Sequence, residues 1–216
     1  MNIRRPSQTR QKLELPDELA GNHHGQIQAH GTALHESWNL LSDCPIFNAS
    51  NQDIRQLKSL IFDRELNAMA DVLLADGASV IEALIRQDAL LTDFEWPEDF
   101  QKISQSMALA QISMLAPMQD DRPIRTYLRE IKNGKVHGWH CLTGALMYRV
   151  FSIPPRQALL HHASNYRKLI STAHANIIQD WEDNALKAVN QTIAAASDPG
   201  QAQNNATGPV FNPRIL

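Results

Sequence analysis

One segment, Ser50–Gly77, decides the fold class, and it reads SNQDIRQLKSLIFDRELNAMADVLLADG. Ser50 is a typical N-cap residue, and Asp53 follows three positions later, as in a capping box. Apolar residues then recur every three or four positions, which is the period of a helix with one buried face. They are Ile54, Leu57, Ile61, Ala68, Met69, Val72 and Leu73. The segment therefore predicts a long amphipathic helix that ends at Gly77, a common C-terminal cap.

Similar start and stop signals continue on both sides of this helix. Trp96–Asp99 and Asp121–Pro123 each combine proline with an acid and predict helix starts, and Asn133–Gly134 predicts an end. Pro154–Pro155 breaks the chain and restarts it, while residues 27–41 carry another helical stripe. No segment shows the sustained alternation of apolar and polar residues that is typical of a β-strand. We therefore predict an all-α fold, a compact multi-helix bundle with flexible N- and C-terminal segments.

The length and composition fit one globular domain. The chain has 216 residues, of which 43% are hydrophobic and 20% are charged, as in ordinary folded proteins. Residues 1–14 are polar and basic and predict a flexible head, whereas 15–196 predict the helical domain. Residues 197–216 are rich in Gln, Asn and Gly and predict a flexible tail.

The net charge and the two cysteines restrict which partners and which cellular compartment are expected. The net charge is −3 and no basic block is present, so nucleic acid is not an expected partner. No stretch approaches the roughly 20 apolar residues of a membrane span, and the basic start lacks the apolar run of a signal peptide. Cys44 and Cys141 are too few for a disulfide scaffold and are typical of reduced thiols. We expect a soluble, cytoplasmic protein.

The strongest candidate for chemistry is the run from His137 to Cys141, which reads HGWHC. On a helix, His137, His140 and Cys141 share one face, and imidazole and thiolate are ligands for nickel or zinc. The sequence thus predicts a metal site from these three residues. In the competing interpretation His137 fills a turn, His140 is partly exposed and Cys141 packs as a small apolar residue.

The remaining histidines and acids give no further site. Adjacent histidines point about 100° apart on a helix, so His161 and His162, with His174 nearby, are interpreted as solvated. A second set near the N-terminus would bind metals only weakly; it comprises His23, His24, His30 and His35. No Glu-x-x-His pair, phosphate loop, nucleophile elbow or Cys-x-x-Cys occurs, so no catalytic residue is predicted.

Several short segments form a pattern known from one family. A small-residue helix runs through an Ile-Pro turn into a longer helix, and a Ser- and Ala-rich piece precedes a Gln-bearing turn. These segments are Thr143–Pro154, Gln157–Leu160, Leu169–Ala173 and Gln179–Asp180, with Ala89–Thr92 and Ile103–Met107 upstream. The pattern resembles the urease accessory protein UreF family.

The resemblance implies a helical, non-catalytic scaffold that docks partner accessory proteins and helps to deliver nickel to apo-urease. The leading hypothesis is therefore an accessory or adaptor protein that binds a partner protein during metalloenzyme maturation. One alternative is a metal-dependent helical enzyme that uses the predicted site. Another is a subunit that presents a substrate or peptide to a catalytic companion.

Overall fold

The structure, a computed structural model, describes residues 37–115, 121–170 and 174–197, and these residues form helices and no strand. The N-terminal half contains α1 (described over 37–42), a 3₁₀ helix (Pro45–Asn48), α2 (Asn51–Leu60), a π-helical segment (Ile61–Glu65), α3 (Leu66–Leu74), α4 (Ser79–Thr92) and α5 (Glu98–Met114). The C-terminal half contains α6 (Arg122–Lys132), α7 (His140–Val150), α8 (Pro155–Leu169), α9 (Ala175–Gln179) and α10 (Trp181–Ser197).

The helix boundaries follow the signals in the sequence. Ser50 caps α2 by accepting the backbone N–H of Asp53, whose carboxylate in turn accepts the N–H of Ser50, so the capping box is present. Asp121 caps α6 with its side chain. Gly77 and Gly134 have positive φ values of 51° and 67°, which suits the chain reversals after α3 and α6. The all-α prediction is confirmed.

The predicted flexible ends lie almost wholly outside the described residues. The head, residues 1–14, belongs to the undescribed part, and α10 continues to Ser197, where the predicted tail begins. Among the helices that the structure describes, none has both the length and the apolar character needed to cross a membrane.

Helix α7 forms the centre of the bundle. It packs closely against α3 and α5, and every residue from His140 to Tyr148 is buried. A helix that is surrounded by others has no solvent face, which explains the small and apolar composition of α7. Helix α8 packs against α3 and α10 and encloses α7 further. All four tryptophans are buried in the core; they are Trp38, Trp96, Trp139 and Trp181.

A π-helical segment interrupts the long helix predicted for Ser50–Gly77. Within Ile61–Glu65 the hydrogen bonds span one more residue than in an α-helix, so the buried face shifts around the axis. Ile61 and Glu65 are buried, and so is Phe62, which the regular stripe leaves out. Such segments occur often at functional sites.

Candidate functional site

Five polar side chains meet in the interior, and together they are called the buried cluster. Glu65 ends the π-helical segment, Ser104 lies on α5, His140 begins α7, and His162 and Tyr166 lie on α8. None of the five is more than 1% exposed. Four separate parts of the chain therefore contribute polar groups to one dry site, where each group needs a hydrogen-bond partner.

The carboxylate of Glu65 is the acceptor at the centre of the buried cluster. His162 donates its Nε2–H to Oε2 at 2.8 Å. The hydroxyl of Tyr166 lies 3.0 Å from Oε1 and 2.9 Å from Oε2. Since an ionised carboxylate only accepts, both neighbours must donate to it.

The hydrogen bonds of His140 define which ring nitrogen carries its proton. The Tyr166 hydroxyl uses its hydrogen for Glu65, so its oxygen accepts Nε2–H of His140 at 2.8 Å. Nδ1 of His140 then accepts the hydroxyl hydrogen of Ser104, also at 2.8 Å. The same Ser104 oxygen accepts the backbone N–H of His140 at 3.3 Å. Each of these donors and acceptors is satisfied in one consistent arrangement.

Burial and neighbouring groups set the charges. Desolvation lowers the pKa of His140 from 6.5 to about 4, so this ring is neutral at pH 7. Burial alone would raise the pKa of Glu65, but His140, His162 and Tyr166 outweigh it and the pKa lies below its usual value. Burial also raises the pKa of Tyr166 well above its usual value. The site thus holds a carboxylate against a neutral imidazole and a protonated phenol.

An indole from α1 covers the buried cluster. The ring centroid of Trp38 lies 5.8 Å from that of His140, 5.3 Å from that of His162 and 5.2 Å from that of Tyr166, each in an edge-on arrangement. Nε1 of Trp38 is buried and has no hydrogen-bond partner among the residues that the structure describes. The buried cluster is therefore enclosed by apolar surface on the side of α1.

Three of these side chains are spaced as metal ligands are. A carboxylate oxygen of Glu65 and one ring nitrogen each of His140 and His162 all lie within 4.8 Å of one another. In the part of the chain that the structure describes, no other group of three or more His, Cys, Asp or Glu side chains has this spacing. Two imidazoles and a carboxylate suit zinc, nickel or iron.

The three residues that the sequence singled out have different surroundings. His137 donates its backbone N–H to Asp88 at 2.7 Å, and its Nε2 lies 3.2 Å from the carbonyl oxygen of Gln101. Cys141 is fully buried, and burial raises the pKa of its thiol well above the usual value. His140 belongs to the buried cluster and is 1% exposed, so the interpretation that left it partly exposed is wrong. The site of His137, His140 and Cys141 stays a prediction.

A second buried carboxylate, that of Asp88, fixes the approach to α7. It accepts the hydroxyl of Tyr127 at 2.6 Å and the backbone N–H groups of His137 and Gly138 at 2.7 and 2.9 Å. Gly138 has a φ of 84°, and a Cβ there would lie 3.1 Å from the side chain of Ile131. Asp88 thereby holds the loop that places His140 at the head of α7.

Four members of the buried cluster were not predicted from the sequence as site residues; they are Glu65, Ser104, His162 and Tyr166. The expectation that the histidines of α8 and beyond are solvated was wrong for His162 and His174, which are 1% and 8% exposed. Glu65 also gave a signal, because it fills the gap between Ile61 and Ala68 in the apolar stripe of the long helix. A carboxylate on a buried stripe indicates a partnered interior group.

A separate cleft of about 1010 Å³ borders the C-terminal end of α7, whereas the buried cluster lies at its N-terminal end. Four arginines and two acids are among its described lining residues, so positive charge prevails. They are Arg122, Arg125, Arg129 and Arg149, with Glu82 and Asp121.

Comparison with known proteins identifies a family. The sequence model of the UreF family matches residues 14–174, which include all five members of the buried cluster and the cleft-lining residues. No curated protein and no solved structure matches the chain. The family resemblance found in the sequence is confirmed.

Proposed function

The chain belongs to the UreF family of urease accessory proteins, and from that premise we propose that it docks a partner protein and helps to deliver nickel to apo-urease. In this role nickel is cargo and the chain itself catalyses no reaction. The observation that carries the proposal is the family match over residues 14–174, which spans the bundle from α1 to α8.

The arginine-lined cleft supports a docking role. Arg122, Arg125 and Arg129 are exposed and lie three and four residues apart, so they share one face of α6. Arginine forks bind carboxylates through two parallel hydrogen bonds, which favours an acidic segment as the occupant. We propose that a partner accessory protein or urease subunit presents such a segment to the cleft.

The proposal includes a cytoplasmic location. Cys44 and Cys141 are both buried free thiols. Free thiols are typical of proteins in a reducing compartment, where nickel-dependent maturation by accessory proteins would take place.

Co-purification with urease subunits and a nickel-loading GTPase tests the docking role. The double variant Arg122→Glu/Arg125→Glu reverses two charges in the cleft, and Arg55→Glu/Lys187→Glu reverses two exposed charges outside it. We expect the cleft variant to lose at least about tenfold in partner binding and in urease activation, whereas the control retains both.

Three outcomes speak against this function. If urease reaches full activity in cells that lack the chain, the accessory role is wrong. If the wild-type chain captures no urease component, the docking role is wrong. If both double variants bind equally well, docking does not involve the cleft.

A further inference from the structure

We propose that Glu65, His140 and His162 bind one divalent transition-metal ion in the core of the protein. This goes beyond the accessory role, because docking a partner and passing nickel onward require no ion held in the interior of this chain. The site differs from the one that the sequence predicted and shares only His140 with it.

The ligand atoms already converge. Oε2 of Glu65 lies 2.8 Å from Nε2 of His162, and Oε1 lies 3.9 Å from Nε2 of His140. Zinc–nitrogen and zinc–oxygen bonds are about 2.0–2.2 Å, so ligands around one ion lie roughly 3–3.5 Å apart. One ligand atom from each of the three residues lies within 4.8 Å of the other two, so shifts of roughly 1 Å would bring them to the spacing around a single ion.

The charge of the buried cluster also favours a cation. Within the described residues, the ion-pair partners of Glu65 are His140 and His162, and no lysine or arginine approaches its carboxylate. A carboxylate in a dry interior is costly unless positive charge or several hydrogen bonds offset it. A divalent ion bound between the three side chains would supply positive charge directly beside this carboxylate.

The ring protons of the imidazoles can be relocated when an ion binds. An imidazole that binds the ion through Nε2 must present that nitrogen without a hydrogen, so a neutral ring then carries its proton on Nδ1. For His140, Nδ1–H would then donate to Ser104 Oγ, which lies 2.8 Å away. Tyr166 would continue to donate to Glu65, orienting the carboxylate as the outer hydrogen bonds of metal sites do.

Enclosure predicts slow exchange of the ion. The ligands are at most 1% exposed, and Trp38 packs edge-on against both histidine rings. Entry requires that this cover opens or that the ion is present during folding. The indole also serves as a reporter, because an open-shell ion such as Ni²⁺ within this distance quenches tryptophan fluorescence whereas Zn²⁺ does not.

The test uses the full-length chain without a purification tag, stripped of metal and dialysed against Co²⁺, Ni²⁺ or Zn²⁺ with a weak competing chelator. Glu65→Gln and His162→Gln remove ligands. The matched controls are His161→Gln, which alters the adjacent histidine, and Cys141→Ala, which alters the predicted alternative site. We expect one ion per chain in the wild type and both controls, with visible Co²⁺ bands, and affinity at least about 100-fold lower in both ligand variants.

Several results would overturn the proposal. A wild-type chain that holds no stoichiometric ion after refolding with metal overturns it, whether or not the variants fold. Folded Glu65→Gln and His162→Gln proteins that bind like wild type do so as well. Loss of the ion in Cys141→Ala alone assigns it to the site predicted from the sequence. Urease activation is measured in parallel, so failure of the metal site and failure of the accessory role remain distinguishable.

Discussion

The imidazole of His162 donates a 2.8 Å hydrogen bond to the carboxylate of Glu65, which joins α8 to the π-helical segment 97 residues earlier in the chain. Tyr166, one turn further along α8, donates to the same carboxylate. Two helices that are distant in sequence are thus tied through one buried charge. The consequences for stability can be measured without knowledge of the partner.

Removing the carboxylate should destabilise the protein strongly. Glu65→Ala leaves the donors on His162 and Tyr166 buried without an acceptor, and we expect a loss of about 3–5 kcal/mol in the free energy of unfolding. Glu65→Gln keeps one acceptor oxygen and should cost about 1–2 kcal/mol. Urea unfolding measures both, with the exposed Glu82→Ala as a control expected within about 0.5 kcal/mol of wild type. Equal stability of Glu65→Ala and Glu82→Ala would contradict this prediction.

Stability should fall as the pH is lowered from 6.5 toward 4. Burial lowers the pKa of His140 to about 4 from 6.5, so in this window the unfolded chain binds a proton that the folded chain does not. The contribution is fully present above pH 6.5 and is lost by up to about 1.4 kcal/mol per pH unit on acidification. The lowered pKa of Glu65 causes a further loss of stability on acidification, at lower pH.

The His140→Gln variant isolates the contribution of His140 to this pH dependence. The variant lacks the imidazole that titrates between pH 4 and 6.5, so the difference in unfolding free energy between wild type and variant should grow with pH up to about 6.5. Unfolding curves at several pH values between 4 and 8 provide the measurement. A difference that does not change with pH would show that His140 is not held neutral by burial.

Two glycines should respond to alanine in opposite directions. Gly138 has a φ of 84° and lies close to Ile131, so Gly138→Ala should cost about 1–3 kcal/mol through strain and crowding. Gly144 lies within α7, and a Cβ there meets no neighbouring atom within 4 Å, so Gly144→Ala should stabilise by about 0.5–1 kcal/mol. Thermal or urea unfolding distinguishes the signs, and a destabilised Gly144→Ala would refute the packing described for α7.

Arg149 should stabilise the end of α3. Its Nη1 donates to the carbonyl oxygens of Val72 at 3.1 Å and Leu73 at 2.7 Å, which lack partners within their own helix. Arg149→Met keeps the apolar stem and should cost about 1–2 kcal/mol, with faster amide exchange in α3. Arg156→Met removes only an exposed contact with Asn190 and serves as the control. Unchanged exchange in Arg149→Met would contradict the capping role.

The sequence predicted the helices well but only part of the buried cluster. Caps such as Ser50 and Asp121 act within one turn, so their meaning can be read locally, and the structure confirms both. His140 was singled out, yet with His137 and Cys141 as its companions. Glu65 and His162 were not identified as its neighbours, because 75 and 22 residues separate them from His140 along the chain.

The sequence by itself determined the helical class, the main caps and turns, and membership of the UreF family, since periodicity and local motifs encode all of these. Only the tertiary structure decided that a carboxylate, two imidazoles and a phenol share one dry site. Asp88 fixes the loop before His140 through hydrogen bonds to residues 49 and 50 positions further along the chain. Contacts between residues so far apart in sequence depend on how the helices pack, and no local sequence pattern predicts them.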